Sequence, residues 1–245
     1  MMFSVRTIFI FIALFLPMAS EALDSLPRNL SQTDQGRALE ILGFGSSSKI
    51  LNNPYPLGGY KGLEIGLTTE FIPLEDLSVL GDGTKDKGEF NYYTLTLGKG
   101  IYYNFDTYVY FTPAVQGRDF QNFGAQVRWG FYEFSFFPLS LSTIVYGGAA
   151  NFSNLVNIST FGGDLVATVT MDNVAIYAGG GTIRAVGKFI GGASGITDDQ
   201  ETREQSRNDV HSVFGINVAF AKVFFAMEVD RYTDTVYSGK LGVRF

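Results

Sequence analysis

From residue 59 onward, apolar and polar positions alternate with a period of two, the pattern of strands with two unlike faces. In 60–72, Leu63, Ile65, Leu67 and Phe71 oppose Glu64, Gly66, Thr68 and Glu70. In 122–135, Phe123, Ala125, Val127, Trp129 and Phe131 oppose Gln126, Arg128 and Gly130. Phe214, Ile216, Val218 and Phe220 oppose His211, Gly215 and Asn217 in 210–221, and Val223, Phe225, Met227 and Val229 oppose Glu228 and Asp230 in 222–232. The last stretch, 235–245, sets Tyr237, Leu241, Val243 and Phe245 against Ser238, Lys240, Gly242 and Arg244. With further segments at 89–101, 105–116, 138–149, 158–171 and 173–186, the chain reads as ten strands.

The connections sort by parity. The first, third, fifth and seventh are longer and polar, and the ninth is Thr233-Asp234, whereas the even ones are tight turns near Tyr103-Asn104, Phe137, Asp172-Asn173 and Ala221-Lys222. A transmembrane antiparallel β-barrel predicts this, with loops outside and short turns on the periplasmic side. A soluble sandwich has no reason to separate its loops in that way. Unpaired charges in a soluble core would cost several kcal/mol each, so the apolar face is expected to meet lipid and the charged face the lumen.

That lumen should be lined by Glu64, Glu70, Arg128, Asp164, Glu228, Asp230, Lys240 and Arg244, with Arg184 if the seventh strand keeps its register. Opposite charges can pair across so narrow an interior, and closing the last strand on the first brings Lys240 and Arg244 near Glu64 and Glu70. In the seventh strand, Gly179-Gly180-Gly181 erases the alternation, which predicts a bulge, a bend, or close approach of something inside the barrel. Aromatics gather at one predicted level: Tyr102, Tyr103 and Phe105, then Phe134, Phe136 and Phe137, with Phe220, Phe225 and Phe245. Rings of this kind favour the headgroup zone, so they read as a periplasmic girdle.

Residues 23–58 differ from the rest, mixing polar residues with Gly, Ser, Asn and Pro. One helix is expected, from 31 to 42, capped by Ser31 with Asp34 and ended by Gly43. The segment either stays in the periplasm or plugs the barrel mouth. Ahead of it, a basic start at 1–6, an apolar run at 7–18 and the small residues Ser20 and Ala22 make residues 1–22 a secretory signal peptide. The apolar run is shorter than the ~20 residues a membrane helix needs.

The formal net charge of −6, without a basic cluster, argues against nucleic acid as a partner. The absence of Cys excludes disulfides, thiol nucleophiles and thiolate metal sites. No cofactor or metal is expected, since no spacing of His or acidic residues suggests one.

The final residues, V-Y-S-G-K-L-G-V-R-F, resemble the C-terminal targeting signal of bacterial outer-membrane β-barrel proteins, carried here by Tyr237, Leu241, Val243 and Phe245. The resemblance departs at Lys240, where the family has glycine. It implies a bacterial outer-membrane location after signal-peptide cleavage, lipid as the surrounding partner, and the barrel-assembly machinery as partner during biogenesis.

Chemistry is sparse. The single His, His211, follows Asp209 by two residues, and an Asp that orients an imidazole suits general-base work. Ten-stranded outer-membrane proteases of the omptin type carry a similar Asp-x-His pair, with an Asp pair across the mouth. Here that second pair falls to Asp82 and Asp86, whose spacing differs from the family's. His211 and Ser212 are neighbours on opposite faces, a poor hydrolase dyad. The segments 179–181 and 191–195 are glycine-rich without a phosphate loop's Lys and helix. The loop from 188 to 208 should be solvated and mobile. The expectation for function is a small structural barrel or a narrow passive channel for small polar solutes, with an omptin-like surface hydrolase as the alternative.

Overall fold

The computed structural model describes residues 26–83, 88–113 and 119–245. The expected signal peptide at 1–22 and Asp86 lie outside the described residues. The strands are β1 (Leu63–Pro73), β2 (Glu89–Gly100), β3 (Phe105–Phe111), β4 (Phe120–Glu133), β5 (Leu139–Phe152), β6 (Val156–Met171), β7 (Val174–Phe189), β8 (Arg203–Phe220), β9 (Val223–Arg231) and β10 (Thr235–Arg244). Each pairs antiparallel with its sequence neighbours. β10 returns to β1 from Glu64↔Arg244 to Phe71↔Tyr237, giving a closed barrel without free edges. The even connections lie at one end, the turn end, and the odd ones at the other, the loop end. There the connections after β1, β3 and β7 are long, while the fifth, expected to be long, is the tight turn 153–155, since Asn151, Phe152, Val156 and Asn157 belong to the β5–β6 pairing.

Along the wall near the turn end, apolar side chains point outward and polar ones inward. Leu67, Val127, Val145, Leu165, Phe214 and Met227 are exposed while Thr68, Gln126, Asp164 and Glu228 are buried. Toward the loop end the sign inverts. On β7, Ile183, Ala185 and Phe189 face in and Arg184 and Lys188 face out; on β6, Val156 and Ile158 face in, Asn157 and Ser159 out.

β7 differs from expectation. Its pairing with β6 and β8 runs residue for residue from Val174 to Phe189, with no bulge at the glycines. Gly181 sits between Asp164 on β6 and His211 on β8, and a Cβ there would lie 2.7 Å from the Asp164 carboxylate. The missing side chain lets those two groups meet over it. β8 also begins at Arg203, because 203–209 pair with the top of β7. The connecting loop is therefore only 190–202, and it is anchored: Ile196 and Thr197 are buried, and the Leu30 amide donates to the Ile196 carbonyl at 2.8 Å.

A recurring device shapes the inner wall. Tyr108, Tyr110, Tyr146, Tyr177 and Phe224 are paired directly across from Gly98, Gly124, Gly162, Gly215 and Gly242. Each ring lies where the glycine's Cβ would be, within 2.2–2.6 Å of it. An aromatic covering a cross-strand glycine restores the packing the glycine lacks. It also lays the ring against the wall instead of across the lumen.

The space so left is filled by the N-terminal segment. Helix α1 (Gln32–Leu39) begins with a capping box between Ser31 and Asp34 and continues as a π-helical turn, Glu40–Phe44. Gly43 does not end the helix: it packs against Ile158 and Ala185, and the carbonyl ladder runs past it to Ser46, whose amide donates to Leu42 at 3.0 Å. Every residue from 41 to 52 is buried. The segment enters at the loop end, descends the lumen, and joins β1 at the turn end through Gly58 and Gly59, both at positive φ (92° and 72°).

The glycine–aromatic pairing predicts that Gly215→Val, which drives Tyr177 off the wall, destabilises the barrel by about 2 kcal/mol through overpacking. Gly239→Ala, whose nearest neighbour would be 3.8 Å away, should change stability by no more than about 0.5 kcal/mol. The two are compared by urea midpoints of the refolded protein.

Candidate functional site

The lumen has two zones. At the loop end the segment's Leu39, Ile41, Leu42 and Phe44 form one apolar cluster with wall residues such as Ile72, Ile158, Ile183 and Tyr232. Phe44 stacks on Tyr232 with ring centroids 5.8 Å apart. Hydrophobic burial holds this half, as in a soluble core.

Toward the turn end the contacts become polar, and most reach the segment's main chain. Glu228 accepts from two consecutive amides, Ile50 at 2.8 Å and Leu51 at 2.7 Å, and from the Tyr177 hydroxyl at 2.6 Å. Leu51 has φ 46°, which turns the two N–H groups toward one carboxylate. Arg128 donates to the Ile50 carbonyl at 2.7 Å and to the Asn52 side chain, and its guanidinium lies 4.0 Å from the Tyr108 ring centroid. Asn122 and Gln126 donate to the carbonyls of Ser46 and Lys49, both at 3.0 Å. Lower down, Ser142 reaches the Pro54 carbonyl, Arg244 the Asn53 carbonyl, and Asp106 accepts from the Leu57 amide.

Glu64 is the ionic centre of the closing seam. Lys240 and Arg244 each donate to it at 2.7 Å and Asn52 at 2.8 Å. Both cations therefore converge on Glu64 alone. Glu70 instead accepts from Tyr92 at 2.6 Å and faces the segment's Lys49 at 4.0 Å.

His211 is 1% exposed and bridges two carboxylates, Nδ1 to Asp164 at 2.9 Å and Nε2 to Asp230 at 2.8 Å. Its ring stacks on Tyr232 at 4.4 Å. Asp209, the partner expected from the sequence, turns away and accepts from the amide and hydroxyl of Thr233. Asp82 lies on the β1–β2 loop and accepts from Asn29. The Asp209, His211 and Asp82 trio is thus not brought together, because each is already committed to a different partner. A buried His with both nitrogens occupied has no free atom to offer a substrate.

Arg184 is corrected as well: it lies on the outer face. At its level the inside is the apolar zone, and Ile183 and Ala185 take the inward positions against the segment. Asp106 went unnoticed in the sequence, although its alternation with Phe105 and Thr107 marks it as inward. Lys49 and Asn52 carried no such signal, since nothing periodic surrounds them.

At the outer mouth an ion-pair latch holds α1. Arg37 reaches Asp234 at 2.8 Å, Asp76 at 2.5 Å and Glu40 at 3.2 Å, and Glu40 also meets Arg207 at 3.3 Å. Partial burial would lower the Arg37 pKa, but its hydrogen bonds to Asp234 and Asp76 outweigh that and raise it.

Removing the imidazole leaves Asp164 and Asp230 facing each other without a cation. His211→Ala should therefore cost about 3 kcal/mol or more. Asp209→Ala, at the exposed rim, should cost less than about 1 kcal/mol. Denaturant midpoints check both, and equal effects would contradict the separation of the two residues.

No family model and no curated protein matches the chain. Among solved structures it is similar to the translocator domain of autotransporter NalP from Neisseria meningitidis, at 12% identity and TM-score 0.36, covering 86% of this chain and 94% of that one. It is also similar to Ail, the attachment invasion locus protein of Yersinia pestis, at 17% identity and TM-score 0.29, covering 75% and 97%. The N-terminal β-barrel domain of Pseudomonas aeruginosa OprF stands at 12% identity and TM-score 0.31, covering 76% and 98%. At such identities and scores the neighbours lend nothing to a functional assignment.

Proposed function

We propose that the protein is a small bacterial outer-membrane β-barrel with a structural role, its lumen closed at rest by its own N-terminal segment. The observation that carries this is the inversion of facing along the wall. From the turn end up to mid-wall, large apolar side chains cover the outside: Phe161 and Phe214 are 64% and 56% exposed. Above that level the outer face turns polar. A wall that changes sign at one height suits a lipid belt with water above it. Contiguous exposed apolar surface of this kind is foreign to a soluble monomer.

The aromatic residues at the turn end support the same reading. Tyr102, Tyr103, Phe136, Phe220 and Phe245 are all exposed there, at the height of a headgroup girdle. Tyr237, Leu241, Val243 and Phe245 line the outward face of the closing strand, as a targeting signal displayed during assembly would require. A resting passive channel is disfavoured by the buried run 41–52, and a hydrolase by the commitments of His211.

The full-length protein in a planar bilayer should pass no steady current. The double variant Arg128→Ala/Glu228→Ala, which frees the main chain around Ile50, should show brief openings. Gel mobility of the detergent-extracted protein should shift on boiling. A steady wild-type current would overturn the occluded reading, and extraction into plain buffer would overturn the membrane reading.

A further inference from the structure

The turn-end half of the lumen treats residues 45–57 as a bound peptide. Its wall side chains from β3, β4, β5, β9 and β10 bond to carbonyls and amides along the segment, so a large share of the contacts follow the main chain rather than the side chains carried on it. The segment's own sequence, with Ser46-Ser47-Ser48 and the Pro-spaced run from Asn52 to Gly59, adds few bulky determinants. Five of its side chains are also held by wall groups: Asn52 by Arg128 and Glu64, Ser47 by Tyr232, Lys49 by Glu70, Tyr55 by Glu133 and Asn53 by Thr170.

The attachment at each end is consistent with a ligand tethered in cis. At the turn end, Gly58 and Gly59 form a joint whose Cβ positions have nothing within 4 Å. At the loop end the latch of Arg37 is ionic and sits at the surface, where Asp76 is 62% exposed. Main-chain bonding is also how peptide ligands are held in sheet-edge recognition, where side-chain pockets supply only selectivity.

We propose that this half of the lumen is a binding channel for an extended polypeptide, read through its main chain, which residues 45–57 occupy in the resting protein and which a second extended segment can occupy in their place. The proposal goes beyond the outer-membrane reading and rests on the lumen geometry alone.

The test keeps the chain whole through folding. A specific protease site is inserted between Gly58 and Gly59, the folded protein is cleaved, and exchange of labelled synthetic peptides into the barrel is followed by fluorescence anisotropy in detergent. A peptide of residues 44–58 should enter. A version with Ser46 and Leu51 replaced by Ala should bind within about tenfold of it, because neither side chain hydrogen-bonds to the wall. A version N-methylated at Ile50 and Leu51, which removes the two donors to Glu228, should bind about 100-fold more weakly or worse.

The barrel variant Glu228→Gln should weaken the unmodified peptide and be nearly indifferent to the methylation, which separates lost bonding from steric effects of the methyl groups. Equal binding of methylated and unmethylated peptides would overturn the proposal. So would a cleaved segment that cannot be displaced before the barrel itself unfolds, since it would then be part of the core. A soluble barrel would give the same readings, so failure here is distinct from failure of the membrane assignment.

Discussion

A closed ten-stranded wall encloses more space than one inward layer of side chains fills, and the rest of this structure follows from how that space is occupied. Five inward rings lie flat on cross-strand glycines, which widens the interior further. The N-terminal segment then supplies the missing volume. Near the loop end it does so with Leu, Ile and Phe, and near the turn end with a chain of main-chain hydrogen bonds. Without it, Glu228 would keep only the Tyr177 hydroxyl, Arg128 only Gln126 and the Tyr108 ring, and Asp106 would lose the Leu57 amide, leaving charged groups under-bonded inside a low-dielectric wall at a cost of several kcal/mol.

The two zones differ because the outside differs. Where the outer face is apolar, the inner face carries the chain's polar residues, and a descending segment has to meet charges and hydroxyls. Its main chain is suited to that, since each amide and carbonyl needs a partner once buried. Where the outer face is polar, the inner face is apolar and the segment becomes a helix, which satisfies its own backbone and offers side chains only. The helix and the extended stretch are thus matched to the wall level by level, and the change of structure near Phe44 falls where the wall changes character.

Much of the barrel was readable from alternation, because a period of two survives wherever one face is apolar over several residues. Ten strands, their order of turns and the inward placement of Glu64, Arg128, Glu228 and Lys240 come directly from it. Arg184 was misplaced because alternation gives two faces without saying which is inside, and the rule that charge marks the lumen reverses above the belt. The start of β8 was missed for a related reason: Glu204, Ser206 and Asn208 face outward in a polar run that looks like loop. Residues 45–57 had no period to read. Their conformation is imposed by wall groups far away in sequence, such as Glu228 binding Ile50 and Leu51.

The histidine shows how local spacing can mislead. Asp209 and His211 are two apart and so share a face, which made them look like a pair. The strand's rise of about 3.3 Å per residue separates them along the wall by nearly 7 Å, enough to leave Asp209 at the rim with Thr233 while His211 drops into the buried layer. There the decisive neighbour is Gly181, invisible as chemistry because it has no side chain. Its absence of a Cβ brings Asp164 and His211 together across an intervening strand, while Asp230 completes the bridge from β9. The glycine run that seemed to interrupt β7 is therefore what ties β6, β8 and β9 to one another beneath the helix.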